Sequence, residues 1–145
     1  MPQSEHGFYG PVLAALSGWD PVRVDPPPTG IPDINHHHGW LEVKIIEWPK
    51  REDTIVQFEK FYQHQRVWCK RRTRSGGICH VLVKAGRDVM LFWGDDAADQ
   101  LGRHNREMTI KWAARHWTGP RWKKELKDAI LEDRPNGGRR LSDEW

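Results

Sequence analysis

Apolar residues recur along the chain at two spacings, each typical of one kind of secondary structure. Spacings of three and four residues predict helices at residues 4–17, 62–75, 108–117 and 120–131, with one or two further turns at 95–101. Pro11 within the first helix predicts a kink or a late start. Short runs bounded by turn residues predict strands at residues 22–24, 31–35, 40–47, 78–83 and 88–93, with a short edge strand at 54–58.

These elements fit a single domain. The chain has 145 residues and shows no internal repeat. We expect one folded unit over residues 1–133, with a core at 4–94 and additional C-terminal helices at 107–131. The remaining residues, 134–145, are rich in Gly and Arg, and we expect them to form a flexible tail.

Composition points to a polar-surfaced protein outside the membrane. Charged residues make up 30% of the chain, and its mean hydropathy is −0.80. No apolar run approaches the roughly 20 residues that span a bilayer, and the N-terminus lacks the pattern of a signal peptide. We therefore expect a cytoplasmic protein in which Cys69 and Cys79, which lack a metal-binding spacing, are free thiols.

Positive charge is clustered, although the net charge is only +3. One short stretch contains Arg66, Lys70, Arg71, Arg72 and Arg74. A second region contains Arg103, Arg106, Lys111, Arg115, Arg121, Lys123, Lys124 and Lys127. Such clusters suit a polyanionic partner, but solvated helix faces carry the same residues, and the charges alone do not separate the two.

The most informative stretch is a predicted hairpin at residues 31–47. If residues 36–39 form its turn, Asn35 pairs with Trp40 and Asp33 lies opposite Glu42. Because side chains alternate along a strand, Glu42 and Lys44 then share a face. The other face carries only apolar residues and should belong to the core.

Two opposed carboxylates repel each other unless a cation lies between them. Mg²⁺ and Mn²⁺ prefer oxygen ligands and complete their shells with water and phosphate. With such an ion bound, Lys44 could orient or deprotonate a water molecule, or stabilise charge in a transition state. A salt-bridged surface cluster would have the same spacing, so this alternative stays open.

The same residues resemble the motifs of the PD-(D/E)xK nuclease superfamily. Pro32-Asp33 matches the first half-motif, and Glu42-Val43-Lys44 matches the second. The context is similar to the stand-alone viral VRR-Nuc branch. The residues that carry this closer resemblance are Glu5, Arg23, Gly30-Ile31-Pro32-Asp33, Gly39-Trp40-Leu41-Glu42-Val43-Lys44 and Gln65-Arg66-Val67-Trp68.

The resemblance implies a restriction-endonuclease-like α/β fold with an αβββαβ core, in which helices flank a mixed central sheet. It implies Asp33, Glu42 and the Val43 carbonyl as metal ligands for Mg²⁺ or Mn²⁺, with Lys44 as the catalytic lysine. Glu5 would reach the site from the first helix. Gln65 would orient Lys44 or water.

This resemblance leads us to expect a metal-dependent DNA phosphodiesterase that uses metal-activated water. A phage endonuclease acting on branched or structured DNA fits best, in host cytoplasm, and some branch members are dimers. DNA contacts are expected from Arg23, Arg66, Lys70, Arg71 and Arg74. No ATP-binding loop is present, so no nucleotide cofactor is expected.

Three alternatives remain open. One is an exonuclease or recombination nuclease acting on DNA ends. Another is a non-catalytic DNA-binding protein with the nuclease fold, and the third is a virion or assembly protein.

The three consecutive histidines at residues 36–38 raise the question of zinc. Three adjacent positions in a turn cannot all converge on one ion, and no further His or Cys follows at ligand spacing. We expect a solvated turn that could touch DNA, with titration near neutral pH.

Overall fold

The computed structural model describes residues 5–24 and 32–134, and for Glu5 and His6 it describes the backbone only. Ser4 and the Gly30-Ile31 part of the motif lie outside the described residues, as do the predictions made for them. The helices are α1 (Glu5–Ala15), α2 (Gln63–Arg74), α3 (Gly94–Gln100), α4 (Arg106–Trp112) and α5 (Trp122–Leu131). The strands are β1 (Val22–Arg23), β2 (Ile34–His36), β3 (Gly39–Ile46), β4 (Cys79–Ala85), β5 (Asp88–Trp93) and β6 (Arg115–Thr118).

All six described strands form one mixed sheet in the order β1-β2-β3-β4-β5-β6. Only β3 and β4 run parallel, and every other neighbouring pair is antiparallel. Short turns join β2 to β3 and β4 to β5, whereas the parallel pair needs a long crossover. The 57–62 segment and α2 supply that crossover.

Helices cover the two faces of the sheet. On one face, α1 and α5 pack Phe8, Val12 and Leu126 against the strand residues Leu41 and Val43. On the other face, α2, α3 and the 56–61 segment enclose a second apolar cluster. The prediction of an α/β fold with helices flanking a mixed sheet is confirmed.

Pro11 lies inside α1, and the helix continues through it. The helix ends near Gly18, whose φ of +92° is in the left-handed region that favours glycine. Helix α1 therefore ends at Ala15, two residues before the predicted end, and the predicted late start is not observed.

The predicted edge strand at residues 54–58 is wrong. Val56 and Phe58 are buried, but their backbone joins no strand, and the Val56 N–H donates to the His104 carbonyl at 2.8 Å. Both edges of β3 are already paired with β2 and β4. The alternation of apolar residues here reflects packing onto the core rather than sheet pairing.

The predicted helix at residues 108–117 is wrong in its second half. Helix α4 ends at Trp112, and residues 115–118 form β6 beside β5. The apolar periodicity of residues 108–117 fits a helix. Without β6, however, β5 would expose an unpaired edge of backbone N–H and C=O groups. Pairing with that edge buries Trp117 opposite Val89.

Arg134, the first residue of the predicted flexible tail, is packed against the protein. It is 8% exposed and forms ion pairs with Asp95 and Asp96. Flexibility is therefore the wrong expectation for this residue, because a buried ion pair holds it, and residues 135–145 lie outside the described part. Among the described helices, none combines the length and apolar composition that a bilayer crossing needs.

Candidate functional site

The β2–β3 hairpin has the register that the sequence predicts. Asn35 pairs with Trp40, and pairing continues to His36 and Gly39. Asp33 lies just before β2, where its Oδ2 accepts a hydrogen bond from the Val43 N–H at 3.2 Å. This bond holds the Asp33 carboxylate beside the neighbouring residue on β3, Glu42.

Glu42 is fully buried, and neither of its carboxylate oxygens has a hydrogen-bond partner by distance and angle among the described residues. Burial raises the pKa of Glu42 well above that of an exposed glutamate, and contact with the Asp33 carboxyl raises it further. The ammonium of Lys44 opposes this shift. The acid pair therefore lies on one side of the sheet, and in the absence of a cation Glu42 favours its neutral form.

Lys44 is 5% exposed, and its Nζ lies 3.8 Å from Oε1 of Glu42. The same ammonium donates to the Lys60 carbonyl at 2.8 Å and lies 5.9 Å from the centre of the Phe61 ring. The sequence did not predict these last two contacts, because a backbone carbonyl leaves no signal in residue identity. They fix the lysine next to the acid pair.

The site lies on the sheet face that α2 covers. Cys69 of α2 is fully buried and close enough to contribute to the raised pKa of Glu42. Asp33 is half-buried, and Lys44 lines an open cavity of about 380 Å³ with residues 45–47 and 57–61. The cavity therefore reaches the Lys44 end of the site, and Asp33 is the partly exposed member of the acid pair.

Gly39, at the start of the E-x-K motif strand, is required by a close approach of two backbones. A Cβ at this position would overlap the Ile78 carbonyl oxygen and lie 2.9 Å from the Ile78 Cβ. The Trp40 N–H donates to the same carbonyl at 2.9 Å. A side chain at residue 39 would push β3 away from β4 and shift the residues that follow.

The donor set at Asp33 and Glu42 fits a hard divalent cation. Mg²⁺ commonly takes only one or two protein carboxylates and keeps water or phosphate in its other positions. No group of three or more His, Cys, Asp or Glu side chains within residues 7–24 and 32–134 is arranged to hold a metal. The two carboxylates, with the unpartnered oxygens of Glu42, are therefore the side-chain ligands that this site offers.

No family model, curated protein or solved structure matches this chain significantly.

Gln65, another predicted catalytic residue, is engaged at the start of α2 rather than at the acid pair. Gln65 accepts a hydrogen bond from the Tyr62 N–H through Oε1 at 3.0 Å, at the start of α2. This is half of a capping arrangement, which stabilises a helix start. Glu5 is the first residue of α1, and its side chain lies outside the described part.

The predicted DNA-binding residues differ in how far they are free to bind a ligand. Arg66 donates to the carbonyls of Phe61, Ala98 and Leu101, and Lys70 pairs with Asp99 at 2.8 Å. These two side chains join α2 to α3.

The other three predicted DNA-binding residues are Arg71, Arg74 and Arg23. Arg71 is exposed on α2, Arg74 is half-buried at its end, and the Arg23 guanidinium lies 4.0 Å from the Tyr9 ring centre. Of the five, Arg71 is the most open to solvent.

The histidine turn is solvated only in part. His37 and His38 are exposed, as expected, whereas His36 is 3% exposed and accepts a hydrogen bond from the His38 N–H. The expectation of titration near neutral pH is wrong for His36, because burial lowers its pKa to about 4.

The structure also identifies a buried histidine, His80, that the sequence did not single out. His80 is fully buried against Trp93, and neither ring nitrogen has a partner among the described residues.

Proposed function

We propose that this protein is a Mg²⁺- or Mn²⁺-dependent DNA phosphodiesterase, an endonuclease of the PD-(D/E)xK type. The observation that carries the proposal is the geometry at β3. The buried Glu42 carboxylate lies against the Asp33 carboxyl and 3.8 Å from the Lys44 ammonium, and by distance and angle neither of its oxygens has a hydrogen-bond partner within the described part of the chain. A buried acid without partners is costly, and a bound cation would offset that cost.

The residues divide the chemical work in this proposal. Asp33 and Glu42, with the Val43 carbonyl, would hold the ion. When bound, the ion would polarise the scissile phosphate and lower the pKa of a water in its shell. Lys44 would orient that water or stabilise negative charge on the phosphate in the transition state.

The order of elements supports the same proposal. From α1 to β4 the chain runs α1-β1-β2-β3-α2-β4, which is the αβββαβ order that the resemblance implies. The first half-motif lies immediately before β2 and the second in the middle of β3, so they meet across one hairpin. Branched or structured DNA from a phage genome is the substrate that we propose.

A second candidate is a non-catalytic DNA-binding or virion protein with the same fold. One observation favours it: Lys44 is only 5% exposed, and its ammonium is engaged by the Lys60 carbonyl. In this role the acid pair and Lys44 would form a buried structural cluster, and no cation would be required for function.

Cleavage assays separate the two candidates. Linear, nicked and branched DNA would be incubated with the wild type and with Mg²⁺, Mn²⁺ or EDTA. We expect cleavage only with a divalent cation, and a loss of roughly 10²–10³-fold or more in Asp33→Asn and Lys44→Met. Thermal melting would check that both variants remain folded.

Matched substitutions at exposed neighbours serve as controls. Glu59→Gln and Lys60→Met change the same residue types beside the site but outside the cluster, because both side chains are exposed. They should cleave like the wild type. Cleavage that survives in Asp33→Asn would remove the site assignment, and DNA binding without cleavage under any divalent cation would favour the second candidate.

A further inference from the structure

A second feature of the molecule is a basic surface at the β4–β5 turn and the start of α5. We define this α5 basic surface by its members Lys84, Arg87, Arg121, Lys123 and Lys124. Lys84 is half-buried, and the other four are exposed. A hydrogen bond of 2.9 Å from the Gly119 N–H to the Arg87 carbonyl joins the two segments that carry them.

The positive charge of this surface is not neutralised by nearby acids. Among residues 7–24 and 32–134, Arg121 has the only ion pair of the five, a 3.6 Å contact with Glu125 at a side chain that is 78% exposed. Glu125 itself is already held by Arg115 at 2.5 Å. Asp88, the acid at the start of β5, is also engaged, and it accepts hydrogen bonds from Trp48, His116, Thr118 and Arg106.

The surface is concave as well as charged. An open groove of about 770 Å³ is lined by residues 116–118, 120, 121, 123 and 124. A smaller groove of about 270 Å³ continues on the other side of the 119–120 loop, where Lys84 and Arg87 line it. Pro120 and Lys123 border both grooves, so the cations follow one continuous path along the surface.

We propose that the α5 basic surface binds the phosphate backbone of duplex DNA, independently of the acid pair on β3. A path of unneutralised cations along a groove suits a polymer with regularly spaced phosphates. Insertion into a lipid surface needs exposed apolar side chains beside the cations. The exposed large hydrophobic residues of the described part all lie elsewhere: Val22, Ile55, Tyr62, Val67, Met108 and Leu131.

The position of this surface in the fold would place DNA at one end of the sheet. Ala85, which pairs with Ile46 two residues after Lys44, directly precedes the β4–β5 turn. The α5 basic surface therefore begins at the end of the sheet toward which β3 runs from Glu42 to Lys44. It would hold a duplex beyond the region that α2 and α3 cover.

Fluorescence anisotropy with a labelled duplex, measured in EDTA over a range of salt, tests this proposal without cleavage. The test variant carries Arg87→Ala, Lys123→Ala and Lys124→Ala. If each removed cation contacts one phosphate, the slope of log K against log[salt] should become shallower by about 0.9 per contact. We expect affinity at moderate salt to fall by roughly tenfold or more.

A charge-matched variant controls for net charge. It carries Lys50→Ala, Arg51→Ala and Lys111→Ala, which removes three exposed cations that line neither of the two grooves. This variant should keep the wild-type slope. Equal weakening by both variants would overturn the proposal, as would an unchanged slope in the test variant.

Two further arms separate this proposal from its alternatives. Binding of the wild type to phosphatidylserine vesicles, but not to DNA, would overturn it in favour of a membrane surface. If the wild type binds DNA but never cleaves it, only the nuclease proposal is contradicted. If the triple test variant binds and cleaves DNA like the wild type, only the proposal for the α5 basic surface is contradicted.

Discussion

The Lys44 ammonium lies 3.8 Å from Oε1 of Glu42, and this carboxylate is fully buried. The pair lacks the geometry of a close salt bridge, because the lysine makes its shortest contact, 2.8 Å, with the Lys60 carbonyl. The negative charge of an ionised Glu42 is therefore only partly compensated by the Lys44 ammonium. A site built for a cation would have this property before the cation binds, and it leads to the first prediction.

Glu42→Gln should stabilise the fold at neutral and alkaline pH while abolishing cleavage. Because the folded pKa of Glu42 is raised above its ordinary value of 4.5, the folded state keeps a proton that the unfolded state loses. Stability is thus lost as pH rises above 4.5, by up to about 1.4 kcal/mol per pH unit. Glutamine has no such loss, so urea denaturation in EDTA should show a growing advantage for the variant between pH 5 and pH 8.

Manganese supplies the control for this prediction. A cation that requires ionised Glu42 displaces its proton, so Mn²⁺ should stabilise the wild type more at pH 8 than at pH 6. The Glu42→Gln variant should show a much smaller response. A variant that is less stable than the wild type at pH 8 in EDTA would contradict the assignment of a raised pKa.

Acid should destabilise the protein through two buried histidines. Burial, together with the charges of nearby groups, lowers the pKa of His36 to about 4 and that of His80 to about 3. Both pKa values lie below the ordinary 6.5, so the unfolded state binds protons first as pH falls. The free energy of unfolding should therefore decrease from about pH 6.5 to pH 4, at up to about 1.4 kcal/mol per pH unit for each histidine. The contribution of Glu42 has the opposite sign down to about pH 4.5, so it offsets the loss from one of the two histidines in that range.

His80→Phe should reduce this dependence, since it removes one titrating group. Met90→Leu is the matched control, because it changes a fully buried strand residue without removing a titrating group. Urea midpoints between pH 4 and pH 7 provide the measurement. An identical pH profile for His80→Phe and the wild type would show that His80 does not titrate in this range.

Gln65→Ala tests whether this residue caps a helix or takes part in catalysis. Loss of its 3.0 Å hydrogen bond from the Tyr62 N–H should lower stability by roughly 0.5–1.5 kcal/mol. We expect cleavage measured well below the melting temperature to stay near that of the wild type, and Gln65→Glu to restore stability. A large fall in kcat with little change in melting temperature would instead support the catalytic role that the resemblance implies.

Gly39→Ala should strongly destabilise the fold, because the added methyl group would overlap the Ile78 carbonyl oxygen. Overpacking of this kind costs about 1–3 kcal/mol, or more where backbone must move. Gly10→Ala is the matched control, since a Cβ there meets nothing within 4 Å and Gly10 lies within α1. It should be neutral or stabilising by about 0.5–1 kcal/mol. Equal melting temperatures for the two variants would contradict the close approach at Gly39.

Local sequence patterns predicted most of the helices and strands, but not all of them. The helix predicted at residues 62–75 is observed as α2, after which Gly76 has a φ of +92°, and the strand predicted at residues 88–93 is observed over the same residues. The 108–117 segment shows the weakness of periodicity. Its apolar spacing suits a helix, yet the open edge of β5 determined the conformation of β6.

At the candidate site, too, the sequence predicted some features and not others. A period of two along β3, together with the hairpin register, was enough to place Glu42 and Lys44 on one face with Asp33 opposite. The sequence could not show how deeply these groups are buried or what surrounds them. Burial by α2, the contact of Lys44 with the Lys60 carbonyl and the isolation of His80 all depend on segments far apart in sequence.

The sequence by itself determined which residues can meet across one hairpin, because strand geometry and turn length act over a few neighbouring positions. Only the tertiary structure decided the electrostatic state of those residues. Desolvation depends on every element packed around a group, here α2 and the 57–61 segment above β3. The sequence likewise suggested two basic regions. The structure separates cations that are tied to neighbouring groups, such as Arg66, from those beside α5 that form no ion pair among the described residues, such as Lys123 and Lys124.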